Sequence, residues 1–131
     1  MDEVVKKIIK ITAEIQKKKF KPINELEIPN DGGIYIIKEK KSRLFNGRIF
    51  YIGRSKNLRR RVRSYVTRFG HPYLKRKLSK MGLDGREISR YLANDCEFII
   101  EKIDDFDIYD SVEKLLVAIH RKKEPLLNTA N

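Results

Sequence analysis

The strongest constraint on how this chain can fold is a pair of short apolar runs, Gly33-Ile34-Tyr35-Ile36-Ile37 and Ile49-Phe50-Tyr51-Ile52-Gly53. Both are built from β-branched and aromatic residues, which fit a pleated, half-buried surface. The segment between them, Lys38 to Arg48, is polar and carries an Asn46-Gly47 turn signal. Two such runs at this spacing predict an antiparallel hairpin. Neither run alternates cleanly with polar residues, so both faces of the hairpin are expected to be covered. Successive side chains point to opposite faces. Tyr35 and Ile37 therefore share one face and Ile34 and Ile36 the other, while in the partner strand Tyr51 shares its face with Ile49 and Gly53.

Helical periodicity surrounds the hairpin. Val4, Ile8, Ile11 and Ile15, widened by Val5 and Ile9, form an amphipathic stripe over residues 3–19. Pro22, Pro29, Asn30, Asp31, Gly32 and Gly33 mark residues 22–32 as a connector. Residues 1–30 are thus expected to form an accessory helix and linker ahead of a domain over residues 31–131. Residues 57–69 predict a helix with Asn57 as N-cap and Leu58, Val62, Tyr65, Val66 and Phe69 inward. Tyr73 to Met81 predicts a second, short basic helix, and residues 82–90 a loop or brief helical excursion. Cys96 to Ile103 predicts a third strand, and Ser111 to Lys122 a last helix ended by Pro125. The order α, β, β, α, α, β, α predicts an α+β fold. Its core is a three-stranded antiparallel sheet flanked by helices, with an extra N-terminal amphipathic helix.

Charge narrows the class of partner. Thirty Lys and Arg against 18 Asp and Glu leave a net charge of +12, a surface that attracts polyanions. A membrane-binding helix usually pairs its basic face with Trp or Phe. This chain has no Trp and spreads its cations over several segments, so nucleic acid is the expected partner, with no membrane. Cys96 is the sole cysteine. It excludes an intramolecular disulfide and a Cys-rich zinc site, and it fits a reducing, cytoplasmic setting. The opening Met-Asp-Glu is not a secretory signal, and no stretch is long enough to span a membrane.

The residues that carry chemistry follow the hairpin. Arg54 to Arg63 holds six Lys or Arg in ten positions. On a helical wheel Leu58 and Val62 face inward, Arg60 and Arg63 face solvent, and Arg61 falls at the edge of the apolar stripe under Tyr65 at i+4. An edge arginine beside two tyrosines can bind a scissile phosphate bidentately and stabilise its developing charge. Outward cations can grip flanking phosphates without reading sequence. Lys56, Arg59, Arg60 and Arg63, with Lys75 and Lys77 of the next helix, are the candidates. A phenol can orient an attacking water, or deprotonate it if nearby cations lower its pKa. The lesser alternative is that both tyrosines are core aromatics. Glu113 could close a capping box with Asp110, or hold a divalent cation from the edge of the apolar stripe.

The triplets Gly33-Ile34-Tyr35 and Tyr51-Ile52-Gly53, Arg61 ten residues after Tyr51, the helical Glu113 and the closing Pro125-Leu126-Leu127-Asn128 together resemble the GIY-YIG nuclease family. The resemblance runs from Gly33 to Asn128 and leaves the first thirty residues aside. It implies a metal-dependent endonuclease that hydrolyses DNA phosphodiester bonds, with DNA, duplex or branched, as partner. Tyr35, Tyr51, Arg54, Arg61, Glu113 and Asn128 would form the catalytic set, and Glu113 would hold one Mg²⁺ or Mn²⁺ ion. Arg54 stands where many members have Lys, and Pro125 lies twelve residues beyond Glu113, a longer step than in many members. Asn128 is expected to hydrogen-bond backbone near the site. The rival reading is a nucleic-acid-binding module of the same fold without chemistry, and RNA is a second candidate substrate. His71 could contact phosphate, and His120 could support Glu113. Asp104, Asp105, Asp107 and Asp110 read as a solvated surface turn.

Overall fold

The computed structural model describes residues 2–67, 70 and 72–128. The hairpin forms with longer strands than the apolar runs alone suggest, β1 (Gly33–Glu39) and β2 (Ile49–Ser55). With β3 (Cys96–Lys102) they make an antiparallel sheet of order β2-β1-β3, so β1 is central. That placement explains its unbroken apolar character, since a central strand between two helical layers has no solvent face.

The β1–β2 register contains a bulge. Ile37 pairs with Tyr51 but Lys38 pairs with Ile49, leaving Phe50 as the extra residue. Strict alternation fails there. Phe50 and Tyr51 both pack on the Tyr35–Ile37 face, and Ile49 joins Ile34, Ile36 and Ile52 on the other. The expectation that Ile49 shares a face with Tyr51 is corrected by this one residue.

The Tyr35–Ile37 face is covered by α2 (Leu58–Ser64), α3 (Tyr73–Lys80) and α4 (Gly85–Arg90), with Leu58, Val62, Leu74, Leu78 and Ile88 inward. The Ile34–Ile36 face is covered by α1 (Glu3–Gln16) and α5 (Phe106–Arg121), through Ile15, Val112 and Leu116. Asn57 caps α2 by accepting from the Arg60 amide at 3.0 Å. The helix stops at Ser64, short of the expected residue 69. The buried Lys75 Nζ donates to the oxygen of Ser64, the last residue of α2, and to that of Thr67 in the turn beyond it, each at 2.9 Å. Phe69 and His71 lie outside the described residues. Residues 85–90 form a true helix with a capping box between Asp84 and Glu87.

The last helix also differs from expectation. Asp105 is its N-cap, accepting from the amides of Asp107 at 2.9 Å and Ile108 at 3.4 Å. The helix therefore starts at Phe106, because Ile108 and Tyr109 extend its buried stripe backward. Asp107 and Asp110 are helical, not in a turn, and Glu113 sits two turns inside the helix, so no capping box joins it to Asp110.

Ahead of the hairpin, the connector is tied to the body. Lys21 exchanges backbone hydrogen bonds with Phe98 of β3 at 3.0 and 2.7 Å, and Asp31 O accepts from Leu58 N at 2.8 Å. At the far end of β1, the fully buried Glu39 accepts from the amides of Arg43, Leu44, Phe45 and Gly47 at 2.8–3.0 Å, and from Tyr91 Oη at 2.6 Å. Burial pushes this acid up, but the hydrogen bonds from Tyr91 and the loop amides outweigh it and hold the carboxyl at about 2.

Candidate active site

Tyr35 pairs with Gly53 across the hairpin. A Cβ at Gly53 would overlap the Tyr35 ring, so the glycine of the second triplet makes room for the tyrosine of the first. The ring is almost fully buried, and its hydroxyl meets that of Tyr65 from the turn that ends α2. Ring centroids lie 5.7 Å apart for Tyr35–Tyr65 and 6.1 Å apart for Tyr35–Tyr51. The result is a row of three phenols, Tyr65–Tyr35–Tyr51. Arg61, one turn before Tyr65, acts on its hydroxyl through charge and a hydrogen bond.

This row opens on a cleft of about 660 Å³ lined by Tyr35, Tyr51, Arg54, Arg61, Glu113 and Asn128. Residues from β1, β2, α2, α5 and the segment after α5 are thus brought to one place. Tyr73, Lys114 and Arg121 line it too. Sequence reasoning passes over Tyr65, Tyr73, Lys114 and Arg121 as site residues. Two signals could have found them: Tyr65 stands at i+4 from Arg61, and Arg121 stands at i+8 from Glu113 on one helix.

Burial raises all three phenols. Tyr35 is pushed well above the ordinary tyrosine value, first by burial and then by the neighbouring Tyr65 and Tyr51. Tyr51 and Tyr65 move up for the same first reason. Arg61 pulls each down without prevailing. The expectation of a phenol made acidic by nearby cations is therefore corrected. At neutral pH these are neutral hydroxyls that donate and accept. Glu113 is raised by burial, with Arg54 and Lys114 opposing. Arg54 is held between two acids of α5, paired with Asp110 and 3.9 Å from Glu113, with its guanidinium 5.3 Å from the Phe106 ring centre.

Asn128 clips the backbone of Ile52. Its Oδ1 accepts from Ile52 N at 3.0 Å and its Nδ2 donates to Ile52 O. This fixes the edge strand between Tyr51 and Gly53, so Asn128 holds the geometry of the wall. An adjoining extension of about 650 Å³ shares Arg54 and Arg61 and adds Lys56 and Arg60. Arg63 is exposed outside both clefts. Arg59 donates through Nε to Ile28 O at 2.9 Å, which ties it to the connector. Lys77 lies 5.3 Å from the Tyr73 ring centre at the cleft's lip. Lys75 is engaged within the fold: its largely buried side chain donates to the carbonyls of Ser64 and Thr67, and it lines the cavity between α3 and α4 instead of the active-site cleft. His120 is absent from the cleft lining and burial lowers its pKa.

Among the described residues no three His, Cys, Asp or Glu side chains gather as a metal cage. Glu113 is the single acid on the cleft wall. Mg²⁺ commonly binds through one or two carboxylates, with waters and substrate phosphate oxygens completing its shell. A half-buried carboxylate facing an open, cation-lined cleft fits that chemistry, and the ion's charge would offset the burial that raises Glu113.

The sequence matches the family model of the GIY-YIG catalytic domain over residues 31–125. The chain belongs to the GIY-YIG family. A search of curated proteins finds no match. The GIY-YIG match takes in the whole sheet, the phenol row, Arg61 and Glu113, begins after α1, and ends just before Asn128. GIY-YIG domains are generally nucleases, hydrolases whose substrate is nucleic acid. No helix among the described residues is long and apolar enough to cross a membrane.

Proposed function

We propose that this chain is an endonuclease that hydrolyses DNA phosphodiester bonds with one divalent cation, Mg²⁺ or Mn²⁺, held at Glu113. The observation that carries this reading is the convergence of Tyr35, Tyr51, Arg54, Arg61, Glu113 and Asn128 on one cleft. A binding module would need the cations but not a buried row of phenols beside a lone acid. Residues 31–131 are taken as the nuclease domain and residues 1–30 as an addition to it. The lone buried thiol of Cys96, pushed up by burial, fits work inside the cell.

The chemistry follows from the residues. Arg61 donates to non-bridging oxygens of the scissile phosphate and stabilises the charge that develops there. Tyr51, with Tyr35 and Tyr65 behind it, hydrogen-bonds the attacking water and aims its lone pair at phosphorus. As water attacks, the neutral phenol oxygen accepts the water's proton while its own hydroxyl proton passes to solvent in the cleft, solvent protonates the departing oxygen, and the charge of Arg61 opposes the cost of burial. Arg54 steadies Glu113 and adds positive charge to the cleft mouth. Glu113 would hold the divalent cation, which when bound would supply Lewis-acid charge at the phosphate. Lys56 and Arg60 grip the backbone on one flank.

The test is nicking of a supercoiled plasmid with Mg²⁺ or Mn²⁺, and with chelator. Wild type should nick only with metal. Glu113→Gln should lose at least roughly 10²-fold in rate, the scale of losing a positioned charge stabiliser, yet bind DNA and melt like wild type. A Gln variant that cuts at the wild-type rate removes Glu113 from the mechanism. Wild type that binds DNA and cuts nothing with either metal leaves the binding-module reading in its place.

A further inference from the structure

A second cationic groove lies outside the active-site cleft. It has a volume of about 780 Å³, between α3 and α4, and its walls carry Arg76, Lys80 and Arg86 over a floor that includes Ile88. All three cations are exposed, and none makes an ion pair among the described residues. Asp84, the acid on the wall, accepts from the Glu87 amide in the α4 capping box and keeps its charge, which Arg86 beside it helps to stabilise. Arg54, by contrast, is tied to acids in the main cleft.

The two cationic surfaces are joined by α3. Tyr73 lines the active-site cleft, and Lys77 packs over its ring. Arg76 and Lys80 stand three residues after Tyr73 and Lys77 respectively, about 60° around the helix from them. A band of positive charge therefore runs from the cleft's lip around α3 into the second groove. From Tyr73 to Lys80 the helix rises about 10 Å, roughly three nucleotides of a strand in duplex.

We propose that the α3–α4 groove binds the backbone of a DNA arm that continues past the scissile phosphate. The arm leaves the cleft over Tyr73 and Lys77, and its phosphates settle on Arg76, Lys80 and Arg86. This rests on the nuclease reading for the direction of the arm, while the groove's affinity for phosphate stands on its charge. The domain then needs substrate well beyond the cut on one side, and a short duplex is a poor ligand.

The experiment compares wild type with R76Q/K80Q/R86Q in the full chain, with a circular dichroism melt to show equal folding. Labelled duplexes that end about three nucleotides past the cleft on both sides are set against ones extended by about ten on either side, the gap being the α3 rise. Wild type should gain roughly tenfold or more in affinity from the extension on one side. The variant should lose that gain, bind and cut the short duplex as wild type does, and show a salt slope shallower by roughly 3, for three phosphates released. An unchanged slope and an unchanged gain from extension overturn the groove. Equal weakening on short and long duplexes overturns it too, because the loss would then lie at the main cleft. Wild type that shows the extension gain but cuts neither duplex sinks the nuclease reading and leaves the groove standing.

Discussion

Two hydroxyl networks hang from the same face of β1, four residues apart, and they are built to opposite ends. At Glu39 every partner comes from the neighbouring loop or from Tyr91, the carboxylate is fully buried, and its acid is held at about 2. At Tyr35 the partners are two more phenols and an arginine, burial keeps all three phenols protonated, and the row ends on an open cleft. Both sites have polar groups in the core, where an unsatisfied group is costly. The first answers that cost with charge-assisted hydrogen bonds from a closed loop and so contributes stability. The second leaves its end at the surface, where a substrate can complete the network, and so contributes reactivity. A polar group in the core is thus not by itself a sign of function. What separates the two is whether the network terminates within the protein or at a cleft.

That contrast predicts that damage at the Tyr35 end appears in rate and damage at the Glu39 end in stability. The largest effect should come from Arg61→Ala, with single-turnover cleavage of a labelled duplex down roughly 10²–10³-fold and little change in melting temperature. A large fall in melting temperature with normal cleavage would place Arg61 in the structural network. Next is Tyr35→Phe, which removes one hydroxyl and almost no volume. Cleavage should fall roughly 10²-fold, with about 1 kcal/mol of stability lost through the Tyr65 hydrogen bond. Full activity in the Tyr35→Phe variant would make Tyr35 a core aromatic only.

The Glu39 end should behave in reverse. The fall of its pKa from 4.5 to about 2 corresponds to roughly 3 kcal/mol. This is a depressed acid, so its stability is present above the ordinary carboxylate range and is lost as pH drops from about 4.5 toward about 2. Glu39→Gln should lower the melting temperature by roughly 10 °C at neutral pH and flatten that acid-side decline. Cleavage below the melt should be unchanged. An equal melting temperature would mean that the loop does not depend on the carboxylate. The smallest effect on DNA binding belongs to Lys75→Met, which should lose roughly 2 kcal/mol or more of stability with its bonds to the Ser64 and Thr67 carbonyls. Its DNA affinity and salt slope should match wild type, whereas a phosphate-gripping lysine would shift the slope by about 0.9.

How much of this is legible in the sequence depends on the range of the interaction. The hairpin, the N-cap at Asn57 and the inward stripe of α2 are local, set by periodicity and by side chains a few residues apart, and they read correctly. The bulge at Phe50 does not, because it is decided by the partner strand's register. The start of α5 escapes because Ser111 offers a plausible beginning, while the Asp105 cap bonds and Tyr109 burial depend on what the helix packs against. The site residues can be named through the family motif, but the direction of the tyrosine pKa cannot. It depends on how much of each ring Gly53, Tyr65 and the sheet shield from water. Lys75 looks like any other cation in a basic helix until its buried amine is found on the carbonyls of Ser64 and Thr67.

One feature at the sheet's margins bears on how the protein behaves in a crowded solution. An outer strand offers a row of open amides and carbonyls that another chain can extend. Here Asn128 occupies the N–H and C=O of Ile52 on β2, Leu127 N takes Phe50 O at 2.7 Å, and Lys21 takes both groups of Phe98 on β3. Each margin is shielded by a segment far away in sequence, one ahead of the hairpin and one after α5. Detaching the segment after α5 would uncover the uncharged, β-rich Ile49 to Gly53 on β2, the kind of sequence that recruits copies of itself. These flanking segments therefore act as guards against self-association, and light scattering of variants lacking the Asn128 side chain would register their loss alongside the loosened cleft wall.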